Sequence, residues 1–298
     1  MIEINNVTKI LGGREILKDI NLGVTKGKVF GLIGENGAGK TTLIKCLTGI
    51  FLPDQGSIKI LGEEVYDNLK VKEQIGYVAD QNKFFPDMKI KELLRFYQFT
   101  YPKFSIDRFV QINEILELDI QKSVKKLSKG MQTRLSLVLN LSIFPEVLIL
   151  DEPTSGLDPL VKRQITNLLL EEVEKRGVTI FISSHHLSDL ERICDNIAII
   201  RRGKIQYHNS LEAMKRNVRK LQVAFQEAAP SNLKEWPGVM AVEQLGKVYQ
   251  LVIKDHVQEF EAKLQQYQLL LLEEVDLSLE DMYIYSAGEG LKNDKVLV

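Results

Sequence analysis

A glycine-rich loop between an apolar strand and a helical segment constrains this chain more than any other feature. Residues Gly34–Thr41 read G-E-N-G-A-G-K-T and fit the pattern G-x-x-x-x-G-K-[S/T]. The loop follows the β-rich run Val29–Ile33 and precedes helical spacing over Thr41–Leu47. Its glycines let successive backbone N–H groups converge on an anion, and the helix N-terminus adds partial positive charge. The sequence therefore predicts a phosphate-binding site here.

The residues of the loop have different expected roles. We expect Lys40 to reach the β- and γ-phosphates of a nucleotide as a point charge, and the Thr41 hydroxyl to ligate Mg²⁺. The predicted nucleotide-binding residues of the loop and of the helix start are Gly34, Glu35, Asn36, Gly37, Ala38, Gly39, Lys40, Thr41 and Thr42.

Two carboxylates follow the apolar run Val147–Leu150, which is typical of a fully buried strand. Asp151 stands at the carboxyl end of that strand, where open α/β sheets bind their ligands. It suits a direct or water-mediated contact with Mg²⁺. The adjacent Glu152 can polarise an attacking water as a general base. The pair predicts a hydrolytic centre beside the phosphate loop.

Alternating strands and helices in the first part of the chain favour an α/β fold with a mostly parallel sheet. The predicted strands are Val29–Ile33, Gln55–Gly62, Gln74–Ala79, Val147–Leu150, Val178–Ser183 and Ile197–Arg201. The predicted helices are Thr41–Leu47, Ile90–Thr100, Asp107–Leu118 and Leu160–Arg176. After about residue 215 the pattern changes to that of a small α+β domain. Its predicted elements are strands Lys220–Gln226, Val239–Val242, Val248–Ile253 and Leu269–Val275, with helices His256–Gln268 and Leu277–Tyr285.

Composition excludes several classes of protein. The net charge of −1 argues against bulk electrostatic binding of nucleic acid, so we expect no nucleic-acid partner. Cys46 and Cys194 are too few for a disulfide framework and have no metal-ligand spacing. The start, Met1–Ile4, lacks the regions of a signal peptide, and no apolar stretch is long enough to span a membrane. If the protein serves a membrane process, we expect another protein to cross the membrane.

Three more motifs follow the phosphate loop in a fixed order. They are Leu127–Met131 (LSKGM), Ser155–Asp158 (SGLD) and Ser183–His185 (SSH). Together with the loop and the Asp151–Glu152 pair, they make roughly residues 1–215 resemble the ATP-binding subunit of an ABC transporter. The first motif is similar to the family's signature loop, usually LSGGQ, and LSKGM is similar to a variant of export-type members. The second resembles the D-loop, and the third resembles the switch-histidine motif.

The resemblance implies specific roles for these motifs. Ser128 and Gly130 of the signature loop would contact the γ-phosphate held by the opposite subunit. His185 would bond the γ-phosphate, which a neutral imidazole can do, and Glu152 would be the catalytic base. The implied cofactors are ATP and Mg²⁺. The implied partners are a transmembrane permease and a second ATPase subunit, either a copy or a paralogue.

The resemblance also implies an architecture and a function. The fold would be that of the P-loop NTPase ABC ATPases, with a mixed sheet core in residues 1–215, a helical subdomain at about 83–140, and an accessory α+β domain at 216–298. The C-terminal end is similar to the tails of ABC-2 exporter subunits. The expected function is ATP hydrolysis that powers a membrane exporter from the cytoplasmic face. The alternative is a soluble ABC-type ATPase that acts on ribosomes, DNA or protein complexes.

Two stretches depart from the family pattern. Where members usually carry an aromatic residue that stacks on adenine, this chain has Leu11, so we expect apolar contact in place of stacking. The Q-loop pattern resembles I-G-Y-x-P-Q, but the chain reads I-G-Y-V-A-D-Q, so Asp80 fits the spacing and Gln81, one residue later, fits the chemistry. We favour Gln81 as the metal-side residue.

Seven aromatic residues lie in the segment Phe84–Phe104, which follows the Q-loop and includes the predicted helix Ile90–Thr100. They are Phe84, Phe85, Phe96, Tyr97, Phe99, Tyr101 and Phe104. Either they form the core of the helical subdomain, or some line a groove for a helix of the membrane partner. Exposed aromatic rings would favour the groove.

Overall fold

The computed structural model describes residues 1–82, 84–216, 218–254 and 257–281. The chain separates into two compact units, Met1–His208 and a second unit that begins at Asn209. The helix that the sequence predicts over 277–285 ends outside the described residues. Within those residues, no helix combines the length and the apolar character that a membrane span requires.

The elements of the first 210 residues alternate between strands and helices. The strands are β1 (Ile2–Leu11), β2 (Arg14–Val24), β3 (Val29–Ile33), β4 (Gln55–Ile60), β5 (Glu63–Glu64), β6 (Ile75–Val78), β7 (Val147–Asp151), β8 (Thr179–Ser184), β9 (Asn196–Arg201) and β10 (Lys204–Ser210). The helices are α1 (Lys40–Leu47), α2 (Leu69–Lys72), α3 (Ile90–Thr100), α4 (Ile106–Leu116), α5 (Lys129–Leu141), α6 (Pro159–Arg176) and α7 (Leu187–Glu191).

A six-stranded sheet in the order β10-β9-β3-β8-β7-β6 forms the core of the first unit. Strand β3 pairs in parallel with β8 and β9, and β7 pairs in parallel with β6 and β8. Every residue of β3 and β7 is buried, which explains their uninterrupted apolar runs. Because parallel strands end at the same edge, the loops after β3, β6, β7 and β8 meet there. The predicted α/β fold is confirmed.

A second, antiparallel sheet in the order β2-β1-β4-β5 packs on the same core. Buried residues of β1 and β2, such as Ile4 and Leu17, share one apolar cluster with Leu43 and Leu47 of α1. The sequence predicted β4 but not β1 or β2. The reason is physical, because the β1–β2 pair has several register shifts, and each shift breaks the two-residue alternation that marks a strand.

The segment between β6 and β7 is helical and carries α3, α4 and α5. The predicted bounds of α3 match the structure, while α5 was not predicted. Each helix has a start that its sequence provides. The Glu92 side chain accepts a hydrogen bond from the backbone of Lys89, and Ser105 and Ser128 cap α4 and α5. Helix α5 is also joined to β6, because Asn140 Oδ1 accepts the Tyr77 backbone N–H at 2.9 Å.

The second unit is a four-stranded antiparallel sheet in the order β12-β13-β11-β14, with the helix at Val257–Leu264 packed against it. Its elements are α8 (Leu211–Arg216), β11 (Val218–Phe225), β12 (Val239–Leu245), β13 (Val248–Lys254), α9 (Val257–Leu264) and β14 (Leu269–Val275). Trp236 is buried in its core, with its ring 5.3 Å from that of Phe260. This agrees in type with the α+β pattern of the sequence.

Candidate nucleotide site

The phosphate loop runs from the end of β3 to the start of α1, as its sequence predicts. Gly39 caps α1 with a φ of 112°, a conformation that L side chains rarely adopt. A Cβ on Gly34 would lie 2.6 Å from the carbonyl oxygen of Ile200, so only glycine fits there. The two glycines thus let the loop lie close against β9 and turn directly into a helix N-terminus.

Lys40 lies across the base of this loop and is 6% exposed. Its Nζ donates to the carbonyl oxygen of Gly34 at 2.6 Å and lies 3.2 Å from Oε1 of Glu152. It also donates to the carbonyl oxygen of Glu35 at 3.4 Å, so the ammonium is held by two neutral oxygens and one carboxylate. A phosphate group would offer stronger acceptors at this position, so Lys40 can exchange partners without moving far.

Asp151 is the last residue of β7 and is 1% exposed. The Ser183 hydroxyl donates to its Oδ1 at 2.6 Å. Oδ2 is buried and finds no hydrogen-bond partner among the described residues. Burial raises the pKa of the Asp151 carboxyl, and the hydroxyls of Ser183 and Thr41 counteract this shift. An unpaired, buried carboxylate oxygen beside the loop is a suitable ligand for a cation.

Glu152 follows with a φ of 51°, an uncommon backbone conformation for a residue other than glycine. Its backbone N–H donates to the carbonyl oxygen of Ser183 at 3.1 Å, which fixes the turn after β7. The side chain is 11% exposed and lies between the Lys40 ammonium and the His185 imidazole, with Oε1 near Lys40 and Oε2 2.8 Å from Nδ1 of His185. Local strain of this kind is common where a side chain must be aimed at a reacting group.

The contact between Glu152 and His185 fixes the role of one ring nitrogen. An ionised carboxylate only accepts hydrogen bonds, so His185 donates from Nδ1. A neutral ring then has a lone pair at Nε2, and the ring can donate to a phosphate oxygen only when both nitrogens carry protons. The structure therefore adds a condition to the predicted phosphate bond of His185: it requires the imidazolium form or a break from Glu152.

The structure brings five of the predicted site residues together at one sheet edge: Lys40, Thr41, Asp151, Glu152 and His185. Other predicted residues lie elsewhere. Leu11 ends β1 at a hairpin and is 37% exposed. Ser128 is engaged as the N-cap of α5, and the described hydrogen bonds do not join it to the loop. A Cβ on Gly130 would lie 2.7 Å from Leu157, so the signature loop is packed against the D-loop of the same chain.

A groove of about 690 Å³ opens beside this edge and continues along the helical segment. Both Q-loop candidates, Asp80 and Gln81, line it together with Thr41 and Asp151. Its far end is aromatic, formed by Phe84, Phe85, Phe96 and Tyr97. Phe85 and Phe96 are 56% and 43% exposed, and the nearby Phe99 is 93% exposed. Exposed rings of this size are unusual on a free surface and favour the groove over a purely structural core.

Sequence reasoning gave no separate role to Ser183, although the structure makes it central. Its hydroxyl holds Asp151, and its hydroxyl and carbonyl both accept from the Glu152 backbone. The signal was available in part, because Ser183 stands opposite Asp151 in the parallel register of β7 and β8. A polar residue at the carboxyl end of a strand that neighbours a catalytic strand is a candidate for this role.

Comparison with known proteins gives a consistent result. Residues 17–155 match the family model described as ABC transporter. The ABC transporter ATP-binding protein YtrB of Bacillus subtilis is 32% identical over 288 residues, which cover 97% of this chain and 98% of that protein. The bacitracin transport ATP-binding protein BcrA of Bacillus licheniformis is 35% identical over 226 residues, or 74% of this chain and 73% of that protein.

Solved structures agree with the sequence comparison. A structure described as an ATP binding subunit of an ABC transporter has a TM-score of 0.66 and 28% identity, and covers 72% of this chain and 92% of that one. The cbiO1 protein of Clostridium perfringens, described as part of the ABC transporter complex cbiONQ, has a TM-score of 0.60 and 27% identity, with coverage of 71% and 89%.

Proposed function

The chain belongs to the family of ABC transporter ATP-binding subunits, and we propose that it drives export across a membrane by binding and hydrolysing ATP with Mg²⁺. The family and the ATPase fold predicted from the motifs are confirmed. The direction of transport, export, is proposed in addition to the family and the fold. It is supported by the similarity to a bacitracin transport protein and by the export-type LSKGM loop. The relatives reported above all have transporter names, so the alternative of a soluble ATPase is without support.

The single observation that carries the proposal is that Lys40 of the phosphate loop, Glu152 and His185 form one cluster at the sheet edge. We propose that the loop N–H groups and Lys40 bind the β- and γ-phosphates. Lys40 would leave Glu152 and the Gly34 carbonyl as it does so, which frees Oε1 of Glu152. Oε1 can then take a proton from an attacking water while His185 holds Oε2 in position. Positioning and electrostatics supply most of the catalysis in such sites.

The residues present also fit a magnesium ion. Oδ2 of Asp151 is buried and has no hydrogen-bond partner among the described residues, and the Thr41 hydroxyl lies beside it. Within those same residues, no group of three or more His, Cys, Asp or Glu could hold a metal. Two protein oxygens completed by phosphates and water are typical of Mg²⁺ with a nucleotide. When bound, the ion would neutralise charge on the phosphates.

A complete site requires a second ATPase chain. One chain has one phosphate loop and one signature loop. Among the described residues, no hydrogen bond joins Ser128 or Gly130 to the phosphate loop of the same chain. We propose that the signature loop of a second subunit, a copy or a paralogue, closes over the nucleotide. We further propose that the aromatic groove binds a cytoplasmic helix of a transmembrane permease, which would hold the protein at the cytoplasmic face of the membrane.

A pull-down from detergent-solubilised membranes tests the proposal. Tagged chain carrying Glu152→Gln, with ATP and Mg²⁺ present, should retain a multi-span membrane protein. A matched bait carrying Phe85→Ser and Phe96→Ser should lose that protein while it still binds ATP. Recovery of ribosomes or of DNA-repair proteins, with no membrane protein, would contradict the proposal.

A further inference from the structure

The chain's departures in the Q-loop and in the signature loop are in direct contact. Asp80 follows β6, and Lys129 is the first residue of α5. Lys129 Nζ lies 2.7 Å from Oδ1 of Asp80. The ion pair thus joins the sheet edge at the nucleotide site to the helix that carries the signature loop.

Helix electrostatics explain why Lys129 needs this partner. The N-terminus of a helix carries partial positive charge, so a lysine there is unfavourable. The first turn of α5 contains no acidic residue of its own. Asp80 provides the missing negative charge from the neighbouring loop. The side chains of Lys129 and Asp80 are 53% and 37% exposed, and ion pairs with this exposure are weak and easily exchanged.

The other end of α5 is fixed in a different way. Asn140 is buried and accepts the backbone N–H of Tyr77 in β6 at 2.9 Å. Asn140 lies about 16 Å along the helix from Lys129 at 1.5 Å per residue. One end of α5 is therefore held to β6 by a partly buried neutral hydrogen bond. The other end is held by an exposed ion pair that can open and by the packing of Gly130 against Leu157.

Asp80 also faces the predicted metal side of the site. It lines the same groove as Thr41 and Asp151. Burial, together with the charges of Asp151 and Asp80, raises the pKa of Tyr77 to about 12, which shows that the two carboxylates act on the same region. The Asp80 carboxylate therefore contacts the Lys129 ammonium and lines the same groove as Thr41 and Asp151.

We propose that Lys129 is a positioning residue that competes with the divalent cation of the nucleotide site for the Asp80 carboxylate. Cation binding draws Asp80 away from Lys129 and releases the N-terminal end of α5, with Ser128 and Gly130. The nucleotide state of a chain thereby sets the freedom of its own signature loop. This inference rests on the proposed function, since it requires Mg²⁺ and nucleotide at Thr41 and Asp151.

Binding of a non-hydrolysable ATP analogue to the purified full chain, titrated against Mg²⁺, tests the competition. Lys129→Gln should lower the Mg²⁺ concentration for half-maximal binding about two- to fivefold, the range that an exposed ion pair can supply. In an Asp80→Asn background the same substitution should change it by less than about 1.5-fold. Lys129→Arg keeps the charge and should resemble the unmodified chain.

A matched control comes from a second exposed pair in the same segment, Lys125 and Asp87, whose Nζ and Oδ1 lie 2.5 Å apart. Lys125→Gln should leave the Mg²⁺ dependence of analogue binding unchanged. When EDTA removes the Mg²⁺, Lys129→Gln should have no effect on analogue binding. An equal effect of Lys129→Gln in both backgrounds, or no effect in either, would overturn the inference. Failure of the unmodified chain to bind the analogue would instead overturn the proposed function.

Discussion

The sheet edge and the helical segment hold their functional residues in opposite ways. At the sheet edge, Lys40 and Asp151 are 6% and 1% exposed, and Glu152 is fixed by its backbone as well as by its side chain. In the helical segment, Lys129 is held by an exposed ion pair, and the rings of Phe85, Phe96 and Phe99 face solvent. Buried groups that are placed before substrate arrives suit catalysis, whereas exposed groups suit contacts that must form and break.

This difference divides the work of the protein between its two regions. The edge formed by β3, β7 and β8 contains the phosphate-binding and proton-accepting groups of one chain. The segment with α3 to α5 contains the groups that meet other chains, under the proposed function. We therefore expect substitutions at the sheet edge to change the hydrolysis rate strongly. Substitutions in the exposed part of the helical segment should change the free energy of unfolding only slightly.

Glu152→Gln gives the largest expected effect. The carboxamide keeps the shape but cannot accept the proton, so the hydrolysis rate should fall by about 10²–10⁴-fold while ATP still binds. Uncleaved ATP should then hold two chains together. Phosphate release and sizing chromatography, with and without Mg·ATP, measure the two outcomes.

The control for this variant is Glu146→Gln. Glu146 precedes the other end of β7 and forms a 3.9 Å ion pair with Lys26, and both side chains are largely exposed. Its replacement should leave hydrolysis within about twofold of the unmodified chain, as expected of an exposed ion pair. If Glu152→Gln stayed monomeric with ATP, then either closure over the nucleotide or pairing of identical chains would be wrong.

Asn140→Ala should destabilise the protein more than a substitution at the other end of α5. It leaves the partly buried Tyr77 backbone N–H without its acceptor, which costs about 1–3 kcal/mol in the free energy of unfolding. Lys129→Gln, at the exposed end, should cost about 0–1 kcal/mol. Urea unfolding followed by circular dichroism compares them. If both variants lost the same free energy of unfolding, the two ends of α5 would not differ in how firmly they are held.

The parts of the fold that the sequence predicted are those where one residue pattern has one structural meaning. The phosphate loop, β3, β7 and the bounds of α3 belong to this group. The hairpin of β1 and β2 was missed because its register shifts interrupt alternation. Helix α5 was missed because almost all of its second half is buried, so no polar face marks it as amphipathic.

The candidate site was predictable where it is local in sequence and less so where it depends on pairing between strands or helices. The loop residues and Asp151–Glu152 are contiguous and could be named. The bond from Ser183 to Asp151 depends on the register of β7 against β8. The pair of Asp80 and Lys129 depends on how α5 lies on β6, and the sequence showed only two separate departures from a motif.

Base selectivity tests the same contrast within the nucleotide site. Phosphate recognition uses buried groups, whereas the stretch expected at the base offers only Ile10 and Leu11, which are 47% and 37% exposed. Stacking of a base on an aromatic ring is worth about 1–3 kcal/mol, and aliphatic contact gives less. We predict that GTP binds within about tenfold of ATP, a difference of about 1.4 kcal/mol.

Competition against a fluorescent nucleotide at fixed Mg²⁺ measures this preference. Leu11→Tyr should tighten binding of ATP more than that of inorganic triphosphate, since only ATP has a base to stack. Arg14→Ala, at the other side of the same hairpin, serves as a control for changes in the turn. A hundredfold preference for ATP in the unmodified chain would show that an aromatic residue from elsewhere completes the base site.

Removal of the second unit should have the smallest effect of all. The phosphate, carboxylate and histidine groups lie within Met1–His208, so a chain that ends at Ser210 should bind ATP within about twofold of the full chain. Trp236 is the only tryptophan and is buried in the second unit, where it packs on Phe260. Its fluorescence should therefore not change when ATP binds to the monomeric full chain. A truncated chain that folds by circular dichroism but loses ATP binding would show that the second unit contributes to the site. The buried sheet edge would then not be sufficient for ATP binding.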